Sequence, residues 1–126
     1  MVTWILWALI LAMLAWMGFN YLRIRRAAKI VDNEEFEALI RTGQLIDLRD
    51  PAEFHRKHIL GARNIPSSQL KTSLAALRKD KPVLLYENQR GQRVTNAALY
   101  LKKHGFSEIY ILSYGLDSWN GKVKTS

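Results

Sequence analysis

The sequence predicts an α/β domain built on a central parallel sheet and preceded by one membrane-crossing helix. Three observations carry this reading. Residues 1–22 contain no charged side chain. From Lys29 onward, short apolar runs alternate with amphipathic stretches, as βαβ units do. The 126 residues suffice for one domain plus an appendage, since compact domains run about 100–150 residues.

Trp4 to Phe19 is almost wholly Leu, Ile, Ala, Met and Trp. A bilayer core about 30 Å thick needs roughly 20 apolar residues in a helix, which pairs every backbone group that hydrocarbon leaves unsatisfied. Residues 3–22 meet that length. Trp4, Trp7, Trp16 and Tyr21 lie toward the ends, where amphipathic rings favour the headgroup layer. A cleaved signal peptide would carry a basic n-region and a small-residue cleavage site, and neither is evident. Nothing basic precedes the apolar run, whereas Arg23, Arg25, Arg26 and Lys29 follow it at once. Such clusters stay cytoplasmic, so the N-terminus is expected outside and the domain inside. Ala8, Ala12, Ala15 and Gly18 lie near one helix face, which allows pairing. The expected organisation is a transmembrane helix over 1–22, a basic juxtamembrane linker over 23–28, the folded domain over 29–122 and a tail over 123–126.

All 19 Lys and Arg follow residue 22 against 11 acidic residues, so the net charge of +8 belongs to the part outside the apolar run. Basic residues beside a span gain about 1 kcal/mol each from anionic lipid. Membrane lipid against residues 1–26 therefore accounts for the nearest charge, and no nucleic-acid partner is expected. The absence of cysteine excludes disulfides, thiolate metal sites and a cysteine nucleophile.

Lys29 to Val31 fits a short strand. Asp32 caps the next helix with Glu35 at N3, Phe36, Leu39 and Ile40 share a face, and Gly43 ends it. Leu45 to Leu48 fits a buried strand, and Asp50-Pro51-Ala52-Glu53 starts a helix with a capping Asp and Pro at N1. Leu70, Leu74 and Leu77 suggest a weaker helix within 67–77. Val83 to Tyr86, just after Pro82, fits the central strand. Val94, Ala97, Ala98 and Leu101 share a helical face, with Gly105 as a left-handed cap. Glu108 to Leu112 fits the last strand, and Gly115 to Trp119 a short final helix. The expected order is β-α-β-α-α-β-α-β-α.

Within that pattern, Leu45-Ile46-Asp47-Leu48-Arg49-Asp50-Pro51-Ala52-Glu53-Phe54 followed by His58-Ile59-Leu60-Gly61-Ala62-Arg63-Asn64-Ile65-Pro66 resembles the first signature of rhodanese domains. A second resemblance runs through Pro82 to Tyr86, Gly91-Gln92-Arg93, Leu101 to Phe106 and Ser113 to Trp119. It implies a three-layer α/β/α domain over nearly all of residues 29–120. In that family the central strand delivers a cysteine into a tight loop, whose N–H groups and following helix N-terminus stabilise a thiolate or persulfide. The same geometry suits any bound anion. Counted from Tyr86 the cysteine position is Glu87; counted from Gly91 and Arg93 it is Asn88, so the loop is one residue longer than the common form. Neither residue carries sulfane sulfur, which rules out transfer through a cysteine persulfide on this chain. A carboxylate at Glu87 is expected to sit badly in a loop built to hold negative charge.

The candidate anion-binding loop is Glu87, Asn88, Gln89, Arg90, Gly91, Gln92 and Arg93. Arg90 and Arg93 flank Gly91, where guanidinium forks beside free N–H groups would bind a small anion; alternatively they stay solvated or pair with Glu87. The resemblance implies that Asp47 and Arg49 brace the loop. His55, His58 and His104 belong to different segments, so neither a metal nor another cofactor is expected. Phe106 and Trp119 are expected to pack.

The leading functional expectation is a non-catalytic, membrane-anchored module that binds a protein partner through the former active-site face. A second is non-covalent sensing of an anion or sulfur species by Arg90 and Arg93. A third is an enzyme whose cysteine comes from a partner, or that uses Glu87 as a nucleophile or base.

Overall fold

The computed structural model describes residues 2–125 and, for 23–27, the backbone alone. Helix α1 (Val2–Ala27) leads into β1 (Lys29–Val31), α2 (Asn33–Ile40), β2 (Gln44–Asp47), α3 (Pro51–Arg56), β3 (Lys57–Ile59) and β4 (Arg63–Asn64). Two 3-10 turns, Ser67–Gln69 and Leu74–Ala76, precede β5 (Val83–Tyr86), α4 (Gln92–Lys103) and β6 (Ile109–Leu112). A third 3-10 turn, Leu116–Ser118, and β7 (Val123–Thr125) complete the chain.

Five parallel strands form the main sheet in the order β1-β6-β5-β2-β4. Its strands are near-continuous apolar runs because helices or turns cover both faces. Successive side chains alternate between two cores. On one face Ile46, Val83, Leu85, Ile109 and Ile111 pack with Val94, Ala97, Ala98 and Leu101 of α4 and with Leu70 and Leu77. On the other, Leu45, Leu84, Tyr86 and Leu112 pack with Phe36 of α2, Ile59 and Leu116. This is the expected α/β/α layering, with β5 at the centre. Trp119 meets Phe36 edge to face at 5.9 Å, and Phe106 is buried, so both pack as expected.

Local signals hold where a side chain makes the bond. Asp32 caps α2 by accepting from the Glu35 N–H at 2.9 Å, and Gly105 takes φ +95° after α4. Asp50 occupies the N-cap of α3 without a side-chain capping bond.

Five elements depart from expectation. The 23–28 linker is helical through Ala27, since Arg and Ala favour helix and no Gly or Pro interrupts them; the side chains of Arg23, Arg25 and Arg26 lie outside the described residues. The helix expected within 67–77 is two 3-10 turns, Ser67–Gln69 and Leu74–Ala76, and between them the Thr72 hydroxyl donates to the Gln69 carbonyl at 3.0 Å, a local bond that competes with a helical ladder. The tail is strand β7, antiparallel to β3. Strands β3 and β4, of three and two residues, are too short for periodicity to reveal.

The apolar helical stretch Val2–Leu22 is about 32 Å long, against about 30 Å of hydrocarbon, and none of it is buried in the domain. Such a helix suits a membrane span or a signal sequence.

Candidate functional site

The loop from Glu87 to Gly91 leaves the C-terminal end of central strand β5, where open α/β sheets bind ligands. Its first residue decides its electrostatics. The Glu87 carboxylate turns back over the loop and accepts the Val94 N–H at 3.0 Å, in the first turn of α4. It lies so near Gly91 that a Cβ there would stand 3.5 Å from Oε2. The carboxylate therefore occupies the anion cradle rather than sitting badly in it: it is itself an anion, and two methylenes reach from position 87 to a free N–H at the positive end of a helix.

Asn88 points the other way. Its Oδ1 accepts from Arg49 Nη1 at 3.0 Å and its Nδ2 donates to Glu53 Oε2 at 2.7 Å. Arg49 is 4% exposed and Asp47 fully buried, and they form a forked ion pair with Nη2 2.8 Å from Oδ2. Arg49 also donates to the Lys57 carbonyl. Burial opposes the guanidinium charge, but Asp47 outweighs it and holds Arg49 above its ordinary pKa. Arg49 thus links the buried Asp47 carboxylate to the loop through its bond to Asn88.

The same geometry brings to the loop residues that the sequence alone does not place at the site. Glu53 holds Asn88, and Asn64 donates to the Asp47 and Arg49 carbonyls at 3.2 and 2.9 Å. From above, the Leu116 and Asp117 N–H groups donate to the Glu87 and Asn88 carbonyls at 2.9 and 3.0 Å. This approach requires Gly115 at φ +68°, where a Cβ would meet the Asn88 oxygen at 2.4 Å. Gly115→Ala is accordingly expected to cost about 2 kcal/mol or more, from left-handed strain plus displacement of the loop, measured by denaturant unfolding.

Tyr86, beneath the loop, is fully buried and accepts the Ile59 N–H at 3.1 Å. Burial, then the Asp47 charge, pushes its phenol well above the ordinary value of about 10. Above pH 10 the unfolded chain loses this proton while the folded one keeps it. Stability should therefore be complete below pH 10 and fall at up to about 1.4 kcal/mol per unit above it. Tyr86→Phe should flatten that slope when melting temperatures at pH 9 and 11 are compared.

A cleft of about 370 Å³ opens beside the loop, lined by Arg49, Glu53, Arg56, Lys57, Asn88 and Asp117 among others. The arginines expected at the loop mouth do not converge. Arg90 is exposed and lines clefts toward α1 and toward Tyr114, whereas half-buried Arg93 lines a cleft against Ser67 and Tyr100. Among the described residues neither pairs with Glu87; the ion pairs are Lys29–Glu35, Asp47–Arg49 and Arg78–Asp80. Gln89 donates to Asp117 at 3.3 Å and Gln92 to Asn96 at 2.9 Å. His55 and His58 both contact Phe54, whereas His104 bonds the Tyr100 carbonyl in α4.

The family model for the rhodanese-like domain matches residues 32–122. The uncharacterized protein YqhL of Bacillus subtilis (strain 168) is 48% identical over 113 residues, covering 90% of this chain and 89% of that one. Thiosulfate sulfurtransferase GlpE of Stutzerimonas stutzeri (strain A1501) is 36% identical over 92 residues, covering 72% and 84%. A rhodanese-related protein from Thermoplasma volcanium shares the fold with a TM-score of 0.70 at 24% identity, covering 78% of this chain and 99% of that one. With the domain matched from α2 past the last 3-10 turn, and the strand-loop-helix unit at its centre, the chain belongs to the rhodanese-like domain family, as a member without cysteine.

Proposed function

We propose that this protein is a membrane-anchored rhodanese-like domain that forms no cysteine persulfide on its own chain and serves as a cytoplasmic binding or regulatory module. One observation carries the reading: the cradle that would hold a thiolate or persulfide is filled by the Glu87 carboxylate on the Val94 N–H. The chain has no cysteine to replace it. The binding face is the cleft beside the loop, where Arg56, Lys57 and Asp117 are exposed around the braced Asn88. Non-covalent anion capture by Arg90 and Arg93 has less support, since the two line different clefts and the loop's donor at Val94 is taken.

Anchoring follows from the exposed apolar helix Val2–Leu22, and orientation from the basic residues after it. Because the chain has no native thiol, single cysteines report both. Lys124→Cys is expected to react with an impermeant maleimide in inverted vesicles but not in intact cells; the reverse pattern would place the domain outside. A photocrosslinker at Asp117 should give a discrete protein adduct in membranes of the native host, abolished by Arg56→Glu with Lys57→Glu. Equal labelling from Lys102, at the far end of α4, would sink the binding-face assignment.

A further inference from the structure

We propose that the cleft between the end of α1, strand β1 and the β5–α4 loop takes the phosphate of an anionic phospholipid headgroup, with Lys29 and Arg90 as its cationic ligands. The candidate loop is thereby held against the membrane surface. The inference rests on α1 being a span, and it adds a lipid site on the folded domain itself.

The cleft, about 610 Å³, is lined by Tyr21, Ala28, Lys29, Ile30 and Arg90. Its position is what selects the ligand. Tyr21 belongs to the last turn of the apolar stretch, at the depth where phosphates lie when Val2–Leu22 spans the hydrocarbon. Arg90 reaches the same cleft from the loop, and among the described residues it forms no ion pair. Among the described residues Lys29 pairs with Glu35, at 3.3 Å on the open surface, a contact that a phosphate readily displaces.

The apolar surface agrees. Outside α1, the exposed large apolar side chains among the described residues are Ile30, Leu60 and Tyr114. Ile30 lines this cleft, and Tyr114 lines the adjoining one that shares Arg90. Two cations flanked by an aliphatic and an aromatic side chain match a phosphate set above acyl chains better than a phosphate free in water.

The test uses the full chain with Gln89→Cys as its sole thiol, labelled with a fluorophore and reconstituted into vesicles that contain a headgroup-nitroxide lipid. Quenching reports how closely the loop approaches the membrane. It should be stronger with phosphatidylglycerol present than in phosphatidylcholine alone. Lys29→Gln with Arg90→Gln should lower the docked-to-free ratio about thirtyfold, at about fivefold per surface cation. Lys102→Gln with Lys103→Gln removes the same charge about 16 Å along α4, beyond a Debye length of about 8 Å, and should leave quenching unchanged.

Equal loss from both pairs, or no dependence on phosphatidylglycerol, overturns the headgroup site. Displacement of the loop by inorganic phosphate at matched ionic strength assigns the cleft to free phosphate and overturns the lipid. Alkaline carbonate separates the two ideas: a chain that stays in the bilayer but fails these tests loses only the site, whereas a released chain loses the span as well.

Discussion

Glu87→Cys is expected to give the chain thiosulfate-to-cyanide sulfur transfer, while Asn88→Cys stays inactive. At position 87 the side chain enters the cradle, and a thiolate would inherit the Val94 N–H that the carboxylate now holds. A helix N-terminus lowers a thiol's pKa from about 8.5; at about 6.5, the thiolate fraction at pH 7 rises from about 3% to about 75%, about 25-fold. At position 88 the side chain points to Arg49 and Glu53, away from Val94. Cysteine there would leave Glu87 in the cradle and strip Arg49 of an acceptor. Thiocyanate formation compared between the two variants checks this, and activity in Asn88→Cys alone would put the sulfur site one residue further along the loop.

Asp47→Ala is expected to have the largest effect on stability. It leaves the Arg49 guanidinium 4% exposed with its carboxylate gone, and removing one partner of a buried ion pair costs about 3–5 kcal/mol. For a domain of this size each kcal/mol lowers the melting temperature by about 4–8 °C, so a drop of about 12 °C or more should appear in thermal melts of the full chain in detergent. Replacing both residues, Asp47→Leu with Arg49→Met, should cost much less, because no charge is left unpaired. A small loss in the single variant would mean that water reaches Arg49.

The parts of this fold legible in the sequence are those whose signal is a repeated pattern or a single bond. Val94, Ala97, Ala98 and Leu101 announce α4 by spacing, and Asp32 with Glu35 announces the start of α2 by one hydrogen bond. Of the short strands, β1 was legible but the others were not. Strands β3, β4 and β7 span two or three residues, and β7 exists only because the chain end returns beside β3, a long-range contact without local pattern. The 67–77 segment carries helical leucine spacing, but it folds as two separate 3-10 turns with the Thr72 hydroxyl on the Gln69 carbonyl between them.

The site divides the same way. Bracing by Asp47 and Arg49 came from the resemblance to the family, and the geometry links Arg49 to the loop through Asn88. Whether Glu87 or Asn88 stands in the cradle depends on which way each side chain turns after β5, and a loop one residue longer fits either count. Arg90 and Arg93 looked like a pair because they flank Gly91 in the sequence, yet they line different clefts. Gly115, Glu53 and Asn64 lie in stretches that carry the resemblance, but they meet the loop from distant segments, so spacing alone does not show that they reach it.

The most direct test of the central claim is to incubate the native full chain with thiosulfate, follow thiocyanate on adding cyanide, and weigh the intact protein before and after. The account requires no protein-dependent thiocyanate and an unchanged mass, because the cradle holds Glu87 and the chain has no thiol. Protein-dependent thiocyanate together with the added mass of one sulfur atom would contradict it, and would mean that a residue other than cysteine carries the sulfur.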